Sequence, residues 1–132
     1  LARLYRQRGE LDADTLDKAI AQLEVVVAKD ADYREAKSEL IELLYVKAQS
    51  LERGGFVRDY LGALKIYEHI VELDPNQSEA WLQIGMINEY QLKKFDKALK
   101  AYRKAYEIDP TDPNIILQLK GLEQGLESKS VE

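Results

Sequence analysis

Few side chains in this sequence could carry bond chemistry. His69 is the single histidine and cysteine is absent. General acid–base, nucleophilic and metal-assisted reactions need two or more such groups converging on one point. His69 stands alone in Tyr67-Glu68-His69-Ile70, within a helical pattern, and reads as a partly exposed helix-face residue. Carboxylates are abundant, but they recur close to a Lys or Arg, as Asp96 does to Lys100. The Gly54-Gly55 pair lacks the Lys-Ser or Lys-Thr that a phosphate-cradling loop requires. The expectation is therefore no enzyme, with no catalytic, cofactor-binding or metal-binding residue and no cofactor.

What remains is the chemistry of recognition. Lys93, Lys94, Lys97, Lys100 and Lys104, with Arg103 beside them, form a cationic run in which 93, 97, 100 and 104 share a helical face. Such a run can meet an acidic partner or an anionic lipid surface, or it can be a solvated outer face balanced in part by Asp96 and Glu107. The formal net charge of −5 argues against general nucleic-acid binding, which needs a basic surface to neutralise phosphates. Eight tyrosines could suggest a platform for stacking bases, but Tyr67 and Tyr102 recur at equivalent helical positions and are core residues first.

The elements that would position these groups are helical. A chain of 132 residues that is 45% hydrophobic and 33% charged suits one all-helical domain with a continuous core. It has no apolar run near the length of a membrane span. Without cysteine, the redox compartment is undetermined; the location is left open with the cytoplasm favoured. A start at Leu1, inside a helical pattern, leads to the expectation of a longer parent protein.

In chain order, Leu1, Leu4 and Tyr5 share one helix face that Gly9 stops. The acidic stretch Asp14-Thr-Leu-Asp17 signals the start of a second helix, with Leu16, Ala19, Ile20, Leu23, Val26 and Val27 at helical spacing to about Lys29. Asp32-x-x-Glu35 has the form of a capping box for a long third helix reaching Gly54-Gly55. Gly54 to Arg58 then reads as an extended corner, either a tolerated loop extension or a docking feature for Phe56 and Val57. A helix from about Asp59 to Leu73 stops at Asp74-Pro75, and Asn76-x-x-Glu79 starts the next. A turn at 91–94, a helix over 96–108, a stop at Asp109-Pro110 and a restart at Asp112-Pro113 complete the series.

Two segments repeat. Ala63-Leu-Lys-Ile-Tyr67 followed by Leu73-Asp74-Pro75 matches Ala98-Leu-Lys-Ala-Tyr102 followed by Ile108-Asp109-Pro110, with a weaker copy at Ala19-Ile-Ala-Gln-Leu23. In the stretch 79–110, Trp81, Ile84 and Gly85 precede Ala98, Tyr102 and Pro110. This order resembles the tetratricopeptide repeat, in which two short antiparallel helices pack closely over small residues. The resemblance implies an all-α solenoid of helix hairpins, about seven helices in all. It would comprise a partial repeat over 1–31, an extended repeat over 32–75 with roughly ten inserted residues, a typical repeat over 76–110, a capping helix over 113–126 and a flexible tail over 127–132. Asn88 departs from the family's usual tyrosine, and the spacing from Gly85 to Ala98 is one residue longer than usual, leaving Tyr90 as the substitute.

The family resemblance also implies function: such arrays are protein-binding scaffolds whose ligands lie along the first helix of each hairpin. Mapped onto this sequence, that groove is lined by Glu35, Ser38, Glu39, Glu42 and Tyr45, then by Glu79, Leu82, Gln83, Met86, Glu89 and Tyr90, and finally by Asn114, Leu117, Gln118 and Gly121. The family's chaperone-binding version uses Lys, Asn and Arg to clamp a terminal carboxylate. Here Ser38, Glu39, Glu42, Gln83 and Met86 stand at those places, and the glutamates would repel an acidic tail. The expected partner is a protein or peptide with apolar residues and basic flanks, with no nucleic acid, and a membrane surface met through the lysine run is a less favoured alternative. The alternative is a structural spacer or self-association segment, acting through an uncapped N-terminal edge.

Overall fold

The computed structural model describes residues 12–30, 33–54 and 58–131. The expected helix over 1–9, with Leu1, Leu4, Tyr5 and Gly9, lies outside them, as do Asp32 and the Gly55, Phe56 and Val57 corner. Six α-helices are present among the described residues: α1 (Ala13–Lys29), α2 (Arg34–Glu52), α3 (Tyr60–Leu73), α4 (Ser78–Met86), α5 (Phe95–Ile108) and α6 (Pro113–Val131). A π-helical turn, Ile87–Gln91, continues α4. The all-α expectation is met. The chain divides into two compact units, 1–66 and 67–132, with the boundary inside α3.

In the first unit α1 packs against α2. Leu16, Ala19 and Ile20 bury one stripe of α1, and Ala36, Leu40, Ile41, Leu43, Leu44 and Ala48 do the same on α2. This is the three-to-four spacing that turns an amphipathic sequence into a core face. Lys47 reaches back from α2 to Asp17 at 2.7 Å. Val26, expected on the core face of α1, is instead exposed beside Val25.

The starts of α1, α2 and α4 differ from the expected caps. Helix α1 begins before the acidic stretch, because Asp12 accepts the Thr15 backbone N–H at 2.7 Å and so satisfies a first-turn donor. That hydrogen bond holds the Asp12 carboxyl below its ordinary value of 3.8. Helix α2 starts after Tyr33, which makes no side-chain cap. Asn76 does not cap α4 either. Asp74 takes the Asn76 N–H (3.0 Å) and the Gln77 side-chain amide (2.9 Å), extending the Asp74-Pro75 turn so that α4 begins after Gln77. Asp59 and Asp112 do cap, accepting from Gly62 N (2.7 Å) and Asn114 N (2.9 Å). Pro113 fills the first helical position of α6, where a missing N–H costs nothing. Nothing stops α6 at 126: Gly125 is helical, and the helix runs on to Val131.

The second unit is built on α5, which packs against α4 on one side and α6 on the other. Leu82, Ala98, Tyr102, Ala105, Ile115, Leu119 and Leu122 form its core, with Trp81, Met86, Phe95, Leu99 and Leu126 around it. A Cβ at Gly85 would overlap the Tyr102 ring, so glycine is what lets α4 lie directly on that aromatic face. Ala98, Tyr102 and Ala105 are fully enclosed.

Candidate functional site

The extra residue between Gly85 and Ala98 is taken up by the π turn. Leu92 N–H donates to Ile87 O across five residues (3.1 Å), and Lys94 N–H to Asn88 O (2.7 Å), with Lys93 left-handed at φ 56° closing the turn. Asn88 is 4% exposed and donates its Nδ2–H to Ile84 O (2.8 Å), adding a bond where the helix changes pitch. Tyr90, the substitute the spacing offered, is 48% exposed and donates its hydroxyl to Gln118 Oε1 on α6 at 2.6 Å.

The expected groove residues of this unit lie on α4, on the π turn and on α6. Glu79 and Gln83 are joined by a 2.9 Å bond on the surface of α4. Glu89 accepts the Tyr102 hydroxyl (2.7 Å) and so anchors a core ring as well as facing outward. Burial, and then that bond, push the Tyr102 phenol far above its ordinary value of 10.0. Met86 is half-buried, whereas Leu117 is 66% exposed, next in sequence to the Gln118 that Tyr90 holds. Asn114 and Gly121 are exposed on the same helix.

One expected lining residue is corrected. Leu82 is 3% exposed and lies in the core with Ile115, Leu119 and Leu122 of α6. The reason is coverage: α6 closes over the position at which an open repeat would present a side chain. No ligand can reach Leu82 without displacing the core.

In the first unit, Glu35, Ser38, Glu39 and Glu42 come together with Arg34 in a shallow depression of about 200 Å³ on α2. Its sign is set by three carboxylates against one guanidinium. Tyr45, expected to continue this surface, is half-buried further along the same helix.

Elsewhere in the second unit lies a larger cleft that the sequence reading did not foresee, about 520 Å³. Its floor is apolar, from Trp81 and Ile84 of α4 and Ala101 of α5, with Asn88 at its edge. Trp81 is held by donating Nε1–H to Pro75 O at 2.8 Å. Along α5 the rim is basic, with Lys97, Lys100, Arg103 and Lys104, while Glu68 and Glu107 add two carboxylates. The lysine spacing was readable, but the cavity beside it arises from packing across helices. His69 is half-buried, 3.7 Å from Glu72. Among the described residues no group of His, Cys, Asp and Glu is arranged to hold a metal, and no helix is long and apolar enough to cross a membrane.

Comparison with known proteins agrees with this geometry. The tetratricopeptide repeat family profile matches residues 88–119, from the buried Asn88 through α5 to Leu119. The first tetratricopeptide domain of Spaghetti (RPAP3), solved with the HSP90 peptide SRMEEVD, is 17% identical, with a TM-score of 0.53 over 96% of this chain and 87% of that one. The first tetratricopeptide domain of human RPAP3 is 18% identical, with a TM-score of 0.51 over 99% and 91%. Among curated protein sequences none gives a significant match. The resemblance carried by Trp81, Gly85, Ala98 and Tyr102 is thus borne out, and the fold is that of tetratricopeptide domains.

Proposed function

We propose that this chain is a protein-interaction module that binds a peptide or helix presenting apolar residues with basic flanks. The observation that carries the reading is the exposure of Tyr90 and Leu117, two of the three most exposed large apolar side chains among the described residues of this unit, the third being Tyr106 on α5. Tyr90 is fixed by Gln118, so a rigid aromatic face is offered at little cost in side-chain entropy. Glu79, on the surface of α4, supplies the negative charge that steers a cationic flank. In the first unit, the depression at Glu35, Glu39 and Glu42 selects the same sign. The neighbouring fold that holds SRMEEVD supports peptide binding as the activity, but this chain's glutamates oppose a ligand of that acidity. The ligand class is therefore the opposite one.

The test is fluorescence anisotropy with two labelled peptides: an amphipathic helix with leucines on one face and lysines at both ends, and SRMEEVD. The leucine–lysine peptide should bind, and Tyr90→Ala with Leu117→Asp should weaken it about tenfold or more. Both positions are exposed, so helicity by circular dichroism should be retained. Indifference of the leucine–lysine peptide to the double variant, or tighter binding of SRMEEVD that the same double variant weakens, would refute the reading.

A further inference from the structure

We infer that the cleft between α4 and the basic side of α5 is a second recognition site, and that its ligand is an acidic protein segment carrying one bulky apolar side chain. The site is separate from the surface of Tyr90 and Leu117, and the inference does not rest on the function proposed above. Three observations combine. The first is shape: about 520 Å³ of concave space is ample for an aromatic or long aliphatic side chain, whereas a flat membrane surface could not use it. The second is the floor, where Trp81, Ile84 and Ala101 offer apolar surface that a purely polar ligand would leave poorly covered. The third is charge. Residues 93–104 hold six cations, Lys93, Lys94, Lys97, Lys100, Arg103 and Lys104, against the single carboxylate of Asp96, in a chain whose net charge is −5. None of Lys97, Lys100, Arg103 and Lys104 forms an ion pair with a described residue, so a ligand carboxylate would displace only water there.

The arrangement is specific in a way a solvated lysine face is not. Lys97, Lys100 and Lys104 recur at helical spacing, so they form one row beside the apolar floor. A segment lying along α5 could seat its apolar side chain on Trp81 while carboxylates on either side meet the row. Glu68 and Glu107 limit where those carboxylates can stand, which gives the site a register.

The experiment uses the full chain and a fluorescein-labelled peptide of sequence DEDFEDE, with a DEDAEDE twin, at low ionic strength. The site requires that DEDFEDE bind, that the alanine twin bind about tenfold more weakly, and that Lys100→Glu with Lys104→Glu weaken DEDFEDE by about tenfold or more. Both lysines are exposed, and circular dichroism checks that the variant stays folded. Equal binding of the two peptides would overturn the inference by showing only diffuse attraction of charge. So would indifference to the charge reversal, or failure of DEDFEDE to bind while vesicles of phosphatidylcholine and phosphatidylserine are captured. Because Tyr90 and Leu117 lie outside this cleft, their variants should leave DEDFEDE binding unchanged, and the two readings stand or fall separately.

Discussion

Gly85 and Tyr102 show how a single atom decides the packing of the second unit. A methyl group at Gly85 would occupy the space of the Tyr102 ring, and that ring is enclosed on every side. Gly85→Ala should therefore cost about 1–3 kcal/mol, read as a lower urea midpoint. Gly121 and Gly125 are the opposite case, exposed in mid-helix with open space where a Cβ would stand. Gly121→Ala should raise stability by about 0.5–1 kcal/mol in the same assay. Tyr102 also predicts an alkaline response. Its phenol titrates above the ordinary value of 10.0 in the folded chain, so its contribution is fully present below that pH and is lost as pH rises beyond it, when the unfolded tyrosine ionises first. Tyr102→Phe should be less stable near neutrality by about 1 kcal/mol, through loss of the Glu89 bond, and should lose stability less steeply above pH 10.0. Urea midpoints taken across the alkaline range would show both effects.

At the scale of elements, the helices were legible in the sequence because their buried residues recur at helical spacing. Ala63 with Tyr67, and Ala98 with Tyr102, are enclosed as their repetition implied. The starts of the helices were less legible. Asp74 and Asn76 both have cap-forming side chains, and only the folded turn decides which donors reach which carboxylate. Of the residues expected to line a groove, Tyr90 and Leu117 are exposed, whereas Leu82 reads as outward-facing when counted from Trp81, and nothing local reveals that α6 will cover it. The large cleft left only its lysines as a signal, since Trp81, Ile84 and Ala101 come from two helices. The π turn carries its own prediction: Lys93 holds a left-handed backbone that a branched Cβ chain disfavours. Lys93→Gly should stabilise the second unit by about 0.5–1 kcal/mol, and Lys93→Val should destabilise it, both measured by thermal denaturation.

At the scale of the whole molecule, charge is segregated where the total conceals it. The net −5 coexists with a cationic row on α5 and a carboxylate cluster on α2, so ionic strength should weaken acidic and basic ligands alike. Trp81 is the only tryptophan and lies in the second unit, so its fluorescence reports the packing around α4 there. Leu82→Asp places an unpaired carboxylate among Ile115, Leu119 and Leu122 and should lower stability by about 3 kcal/mol or more in the Trp81-monitored transition. The π turn has a further consequence for how such a chain changes over generations. An added residue inside a helix ordinarily rotates everything after it by about 100° and scrambles which side chains face inward. Here the slip is swallowed within one turn, and Ala98 and Tyr102 still arrive at their places. Where each repeat touches only its neighbours, a copying error corrected inside one hairpin reaches no other. The turn between Ile87 and Gln91 is thus a place where one residue of length is absorbed without loss of meaning downstream, although the side chains it carries, Asn88, Glu89 and Tyr90, keep their own partners.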